Sequence, residues 1–259
     1  MSLARIDLPH AEAVVGDDGV GTLTVVNSRS ANVLGTPAIT DLRTALAELA
    51  QLDALRALVL RGTGDEAFVA GADIGEMAVL DQPSAEVFIE GLRLLCEAVR
   101  HLPVPVIARI PGWALGGGLE LAMACDLRIS SDAARFGMPE VAMGIPSVVH
   151  AALMPRLVGA AHASWMLLTG ESVDAATALS WGLADEVVPL TGLDARVGEH
   201  AARFAGFGAD VVRRQKRLLR EWEEQTPSAA AVASVAEFGA AFATGEPQAF
   251  MRRFLERER

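Results

Sequence analysis

The sequence predicts an α/β fold built on parallel strands, and two observations carry the prediction. Segments rich in β-branched residues alternate with amphipathic segments of helical period through the first half of the chain. Two of the predicted strands also run into glycine-bearing loops that open helices. A strand, helix, strand order favours parallel pairing, because each helix returns the chain to the same end of the sheet. With 259 residues and 51% hydrophobic residues, the chain can bury a large core.

The first predicted strand is GVGTLTVVN, residues 19–27, which is rich in β-branched residues. The next segment, TPAITDLRTALAELAQL, predicts a helix with Thr36 as the N-cap and Pro37 at the first helical position. The same two patterns predict a strand at 55–62, a helix at 83–102, a strand at 104–110, a short helix from the glycine triplet to about Cys125, and a strand at 126–130.

The sequence pattern typical of strands is nearly absent from about residue 146 onwards. The predicted helices of this half cover 146–158, 160–168, 174–181, 191–206, 208–225, 228–243 and 246–258. We therefore expect an α/β core over residues 1–190 and a helical C-terminal region over 191–259. No linker rich in Pro, Gly or Ser separates them, so tight packing between the two is expected.

Composition excludes several classes of function. The formal net charge of −11 argues against nucleic-acid partners and anionic membrane surfaces. Cys96 and Cys125 lie in apolar segments and are interpreted as reduced core residues of a cytoplasmic protein. The histidines show no metal-ligand spacing, so no metal is expected. A basic run from Arg213 to Arg217, which includes Lys216, indicates a solvated helix face, an intersubunit contact or a phosphate site.

Two glycine-bearing loops follow neighbouring predicted strands. They are RGTGDEAFVAGADIGEM, residues 61–77, and PGWALGGGLE, residues 111–120. Neighbouring parallel strands end at the same sheet edge, where ligands of such folds tend to bind. Both loops open helices, whose N-termini offer unpaired N–H groups. Two such groups aimed at one oxygen would form an oxyanion hole.

Two glutamates lie in otherwise apolar surroundings. Glu120 shares a helix face with Gly117, and its position in the first turn favours the ionised form, as expected of a base. Glu140 lies in the apolar segment FGMPEVAMGIP, which raises its pKa and suits it to donate a proton. The alternatives are a half-buried Glu120 that caps its own helix and a surface Glu140 at a turn.

Three motifs in this order, FVAGADIGEM, GWALGGGLELAMACDLRI and FGMPEVAMGIP, resemble the crotonase, or enoyl-CoA hydratase, superfamily. The resemblance runs from about residue 14 to the C-terminus and is densest over 62–160. It implies a spiral of repeated β-β-α units followed by a helical trimerisation region. It also implies assembly as a homotrimer or a dimer of trimers.

The resemblance further implies an acyl-CoA thioester substrate, with no cofactor beyond the coenzyme A that the substrate carries. The backbone N–H groups of Ala72 and Gly117 match the family's oxyanion hole. Glu120 and Glu140 match the glutamates of its hydratases, so the implied reaction is hydration of a 2-enoyl-CoA. The positions implied for coenzyme A binding are Ala31, Ala70, Asp73, Ile74 and Gly116.

One segment departs from the family pattern. Where family hydratases commonly read IPGAGG, this chain reads IPSVVHAALMPRLVG, so Val148, Val149 and His150 replace small residues near the acyl pocket. We expect a different acyl group. His150 either contacts a polar or short acyl chain, as Ser147 could, or lies on a solvated helix face, and the second interpretation is preferred.

Three other functions stay open at this point. The first is another crotonase reaction, such as hydrolysis of a short acyl-CoA or isomerisation of a double bond. The second is a non-catalytic binding protein, against which the net charge of −11 argues. The third is a serine hydrolase of related spiral fold, for which the sequence offers no nucleophile-elbow context.

Overall fold

The computed structural model describes residues 2–26 and 31–257. The SRSANVLG segment therefore lies partly outside the described residues, since 27–30 are not among them. The strands of the described part are β1 (Ser2–Leu8), β2 (Ala11–Gly16), β3 (Val20–Val25), β4 (Ala57–Gly62), β5 (Ala67–Val69), β6 (Val106–Ile110), β7 (Trp113–Leu115), β8 (Leu127–Ser131), β9 (Arg135–Gly137), β10 (Ser172–Asp174) and β11 (Glu186–Val188).

Helices alternate with strands up to α7, and α7 to α10 follow one another at the C-terminal end of the described part. They are α1 (Thr36–Leu49), α2 (Ile74–Met77), α3 (Gln82–Arg100), α4 (Gly117–Ala124), α5 (Met154–Thr169), α6 (Ala175–Trp181), α7 (Leu190–Ala205), α8 (Ala209–Glu223), α9 (Pro227–Phe242) and α10 (Glu246–Arg257). Two 3-10 turns, Pro139–Met143 and Val149–Leu153, lie between β9 and α5.

The strands form two sheets. The seven-stranded sheet has the order β1-β2-β3-β4-β6-β8-β11, and the four-stranded sheet has the order β10-β9-β7-β5. In the large sheet, β3, β4, β6, β8 and β11 pair in parallel, which confirms the predicted parallel core, whereas β1 and β2 form an antiparallel hairpin beside it. From β4 to β9, successive strands alternate between the two sheets, and the pairs β4-β5 and β6-β7 are each followed by helices.

Two apolar clusters hold these layers together. The larger one joins the helices α1, α3 and α4 to both sheets. The smaller one covers the opposite face of the large sheet, where Leu193 and Val197 of α7 pack against Val59 and Ile107. Arg109, which is buried in β6, binds Asp194 of α7 at 2.5 Å. The division at residue 190 stays a prediction, and α7 on its C-terminal side packs directly on the core sheet.

Several predicted elements differ in detail. The N-cap of α1 is Gly35 rather than Thr36, because Glu76 accepts hydrogen bonds from the Thr36 N–H, at 2.8 Å, and from its hydroxyl. The predicted helix 146–158 is wrong: the segment contains the second 3-10 turn, and α5 begins at Met154 and is kinked at Gly159 (φ 78°). Two short strands, β10 and β11, also lie in the half predicted to be helical.

The basic run on α8 is not a uniformly solvated face. Lys216 is buried, with 6% of its surface exposed, and its ammonium group contacts Asp126 Oδ2 at 2.7 Å and donates to Val104 O at 2.8 Å. Burial lowers the pKa of Lys216, and Asp126 opposes that effect. Lys216 thus ties α8 to the core.

Within the described residues, no single helix has the length and apolar character needed to cross a membrane. Among the described residues, α9 and α10 taken together meet the requirements of length and composition, and they are bent by 75° at their junction.

Candidate active site

The two glycine-bearing loops meet at one cavity. Their short strands β5 and β7 pair in parallel, with Ala67 opposite Trp113 and Val69 opposite Ala114. The loop after β5 and the start of α4 therefore lie side by side, as predicted. The cavity has a volume of about 230 Å³ and is lined mainly by apolar side chains of α3, the two loops and residues 139–148.

Ala72 and Gly117 both line this cavity. Leu34 accepts the N–H of Asp73 and donates to the carbonyl of Gly71, so the peptide N–H of Ala72 points to the opposite side. The N–H of Gly117 is the first of α4 and has no partner within its helix. Among the described residues, neither N–H donates a hydrogen bond to another protein group.

Close packing of α4 fixes the position of these donors. Gly118 lies against β5, and a Cβ at this position would collide with the carbonyl oxygen of Val69. Gly116 has a positive φ of 51°, and a Cβ there would collide with Glu140 Oε1. Close approach to the backbone therefore requires glycine at 118, whereas the positive φ favours glycine at 116.

Glu120 also lines the cavity and has only 3% of its surface exposed. Its Oε1 accepts the N–H of Ala151 at 3.2 Å. Burial, and secondly the charge of Glu140, raise the pKa of Glu120 to about 8, and the Ala151 N–H opposes this rise. The expectation that the helix dipole keeps Glu120 ionised is wrong, because desolvation outweighs the dipole.

Glu140 faces the same cavity from the 3-10 turn Pro139–Met143. Burial raises its pKa, as the sequence predicted, while hydrogen bonds with its own backbone and with the Ser147 hydroxyl, at 3.1 Å to Oε2, oppose the rise. The structure thus brings together two carboxyl groups that disfavour each other's charge and two backbone donors, all around one apolar cavity.

The chain is similar in sequence to known proteins. A profile of the enoyl-CoA hydratase/isomerase family matches residues 16–259. A crotonyl-CoA hydratase of Syntrophomonas wolfei is 33% identical over 94% of both chains, and a short-chain-enoyl-CoA hydratase of Clostridium acetobutylicum is 31% identical over 93% of this chain and 92% of its own. The chain belongs to the enoyl-CoA hydratase/isomerase family.

Solved structures agree on the fold of this family member. An enoyl-CoA hydratase of Bacillus anthracis superposes with a TM-score of 0.92 at 28% identity, over 96% of both chains. The DspI protein of Pseudomonas aeruginosa superposes with a TM-score of 0.87 at 31% identity, over 92% of this chain and 90% of its own. The predicted crotonase-like spiral is confirmed.

Of the positions that the resemblance implied for coenzyme A, Ala70, Ile74 and Gly116 line the cavity. Ala31 lies next to it, because its carbonyl accepts the N–H of Ala70 at 2.9 Å. Asp73 is not part of the cavity lining. It caps α2 instead, where its Oδ1 accepts the N–H of Gly75 at 2.8 Å.

Sequence reasoning missed Asn32, which fixes the loop that carries Ala31. Asn32 is fully buried and has a positive φ of 51°. Its amide donates to the carbonyls of Thr63 and Ala67, both at 3.0 Å, and accepts the N–H of Thr63 at 3.2 Å. The asparagine in SRSANVLG was the available signal, since asparagine tolerates left-handed backbone.

The segment that departs from the family pattern, residues 145–159, belongs only in part to the cavity lining. Val148 lines it, whereas Ser147 and His150 do not belong to its lining. The interpretation of His150 as part of a solvated face is wrong, because 6% of its surface is exposed. Its Nε2 lies 3.0 Å from Glu97 Oε1 on α3. Among the described residues, no cluster of side chains suits a metal ion.

Proposed function

We propose that this protein adds water across the 2,3 double bond of a 2-enoyl-CoA thioester and forms a 3-hydroxyacyl-CoA. One observation carries the proposal: both carboxyl groups and both unpaired backbone donors line the same cavity. The names of the relatives from Syntrophomonas wolfei and Clostridium acetobutylicum support the same reaction.

The N–H groups of Ala72 and Gly117 would bind the thioester carbonyl oxygen. Negative charge develops on this oxygen when a nucleophile attacks C3 of the conjugated system. Donors fixed by the backbone stabilise that charge without reorganisation, and loss of one such donor typically costs on the order of 10²–10³ in rate.

The two glutamates would divide the proton transfers. Glu120, in its ionised form, takes a proton from water while the water oxygen bonds to C3. The electron pair of the double bond moves towards the thioester, and C2 then takes the proton of Glu140. The pair starts and ends with one proton in total, which suits two neighbouring carboxyl groups that resist simultaneous ionisation.

The remaining features of the proposal concern binding and assembly. Ala31, Ala70, Asp73, Ile74 and Gly116 are proposed to line the path of coenzyme A, and no separate cofactor or metal takes part. We also propose a homotrimer or a dimer of trimers, with no nucleic-acid or membrane partner. A cytoplasmic location is consistent with Cys96 and Cys125, which are buried free thiols.

Incubation with crotonyl-CoA tests the reaction. We expect the enoyl absorbance to fall without release of free thiol. Release of free coenzyme A would indicate hydrolysis instead, and a shifted double bond would indicate isomerisation. Absence of turnover and of acyl-CoA binding would also contradict the proposal.

The two glutamates are tested by Glu120→Gln and Glu140→Gln, which keep the size of each side chain. Each variant is expected to lose on the order of 10²–10⁴ in kcat, because each loses one proton-transfer group. Full hydratase activity in both variants would refute the assigned roles.

A further inference from the structure

Buried His150 pairs with the half-buried Glu97 on the side of the turn away from the cavity lining. Glu97 lies on α3, and its Oε1 is 3.0 Å from Nε2 of His150. The carboxylate only accepts hydrogen bonds, so Nε2 carries the proton of a neutral imidazole. Nδ1 of His150 is buried and has no hydrogen-bond partner among the described residues, as fits a ring that is held for its position.

The backbone beside His150 is strained. Val149 has a positive φ of 53°, a region that β-branched residues rarely adopt. Such a conformation persists only where its surroundings hold it. The ring of the next residue, His150, contacts Glu97 and so connects this turn to α3.

The peptide that follows His150 reaches Glu120. The N–H of Ala151 is shared between Val148 O, at 3.0 Å, and Glu120 Oε1, at 3.2 Å. A small movement of the 3-10 turn Val149–Leu153 would keep the hydrogen bond from Ala151 to Val148 O and break the one to Glu120 Oε1. The position of the His150 ring therefore controls whether Glu120 has a donor.

We propose that His150 and Glu97 are a positioning pair, which holds the strained turn so that the Ala151 N–H is directed at Glu120. The kinetic part of this inference rests on the proposed hydratase function. His150 touches neither the cavity nor a reacting atom, so it acts only through Ala151 and Glu120.

Charged groups lie around both His150 and Glu120. Burial is the main cause that lowers the pKa of His150; Glu97 on α3 opposes it, whereas Arg100 and Arg93 on the same helix lower the pKa further. Glu120 faces Glu140 on the neighbouring 3-10 turn and Cys96 on α3. Of the groups around Glu120, the Ala151 N–H is the one that favours its charged form.

Loss of the positioning pair should therefore raise the pKa of Glu120. His150→Phe keeps a buried ring without the hydrogen bond, and Glu97→Ala removes the partner. For each, we expect the titration midpoint of Glu120 to rise by about one pH unit. Because a base must be ionised, the midpoint pH of the acidic limb of the kcat profile should rise by the same amount. At pH values below that midpoint, kcat should fall about tenfold with KM unchanged.

Two further variants separate positioning from simple packing. Glu97→Gln keeps an acceptor for His150 and should restore the wild-type midpoint. His101→Phe is the matched control, because His101 also contacts Glu97, at 2.8 Å, but is exposed and not part of the turn. It should leave the midpoint unchanged. The double variant Glu97→Ala/His150→Phe should shift no further than either single one, since the two residues act as a unit.

The decisive readout does not depend on the reaction. The carboxyl carbon of Glu120 is followed by NMR titration of protein labelled with carboxyl-¹³C glutamate and assigned with Glu120→Gln. An unchanged midpoint in folded Glu97→Ala or His150→Phe would overturn the positioning pair even if hydration is confirmed. A shifted midpoint in a protein without hydratase activity would support the pair and refute only the proposed function.

Discussion

Glu120 lies in the first turn of α4, where the helix dipole favours a negative charge, yet its pKa is raised to about 8. The dipole contributes at most a small stabilisation, whereas burial at 3% exposure removes nearly all hydration of the carboxylate. The motifs in the sequence singled out Glu120 and Glu140, and the structure brings both to one cavity. Their environment was not predictable, because the Ala151 donor is 31 positions away from Glu120.

Burial of Glu120 predicts a pH-dependent stability. The ordinary pKa of 4.5 applies to the unfolded chain, so between pH 4.5 and about 8 only the folded protein holds this proton. The unfolding free energy therefore falls as pH rises through this window. Glu120→Gln lacks this titrating carboxyl group. Its unfolding free energy relative to that of wild type should therefore increase by ~2–4 kcal/mol from pH 5 to pH 9.

Urea denaturation of both proteins at several pH values measures this difference. Glu48→Gln, on the exposed face of α1, controls for the loss of one carboxyl group. Parallel stability curves for wild type and Glu120→Gln would contradict the buried, proton-holding Glu120.

At the scale of elements, periodicity predicted the long helices and the parallel strands well. The four-stranded sheet escaped prediction because its strands have three residues each, too few to show a period of two. The N-cap of α1 was predicted wrongly at Thr36, because Glu76 of α2 supplies the acceptor from 40 residues further along the chain. Such tertiary caps leave no local signal.

Contact between α4 and β5 is the element-scale feature that positions the proposed oxyanion hole. Gly118→Ala introduces a Cβ that collides with Val69 O, and a backbone atom cannot yield as a side chain can. We expect a loss of about 1–3 kcal/mol in unfolding free energy and a fall in kcat, since α4 must move together with the Gly117 N–H.

The matched control is Gly198→Ala on α7, where a Cβ meets open space. This variant should be unchanged or more stable by about 0.5–1 kcal/mol, because alanine favours a helix interior. Equal stability and activity in Gly118→Ala and wild type would show that α4 is not held as described.

At the scale of the whole molecule, the C-terminal helices expose an apolar surface. Val232, Val235 and Phe238 on α9 are at least 70% exposed, and Phe254 and Leu255 on α10 are each 62% exposed. α9 packs on α8 and α10 packs on α9. A surface of this kind is typical of an interface, which supports the proposed assembly of identical chains.

Val235→Asp should dissociate that assembly, because a charge placed in an apolar interface loses its hydration. Val87→Asp on α3 is the matched control, with 75% exposure against 73% for Val235. Light scattering coupled to size-exclusion chromatography should report a smaller particle for Val235→Asp only. An unchanged mass would show that α9 takes no part in the interface.

The central claim is that the thioester is held by two backbone donors between two carboxyl groups. A crystal structure with butanoyl-CoA, a saturated analogue that cannot be hydrated, tests it most directly. We expect the carbonyl oxygen at roughly 2.7–3.1 Å from both Ala72 N and Gly117 N, with C2 facing Glu140 and C3 facing Glu120. A carbonyl oxygen bound away from these two N–H groups would contradict it.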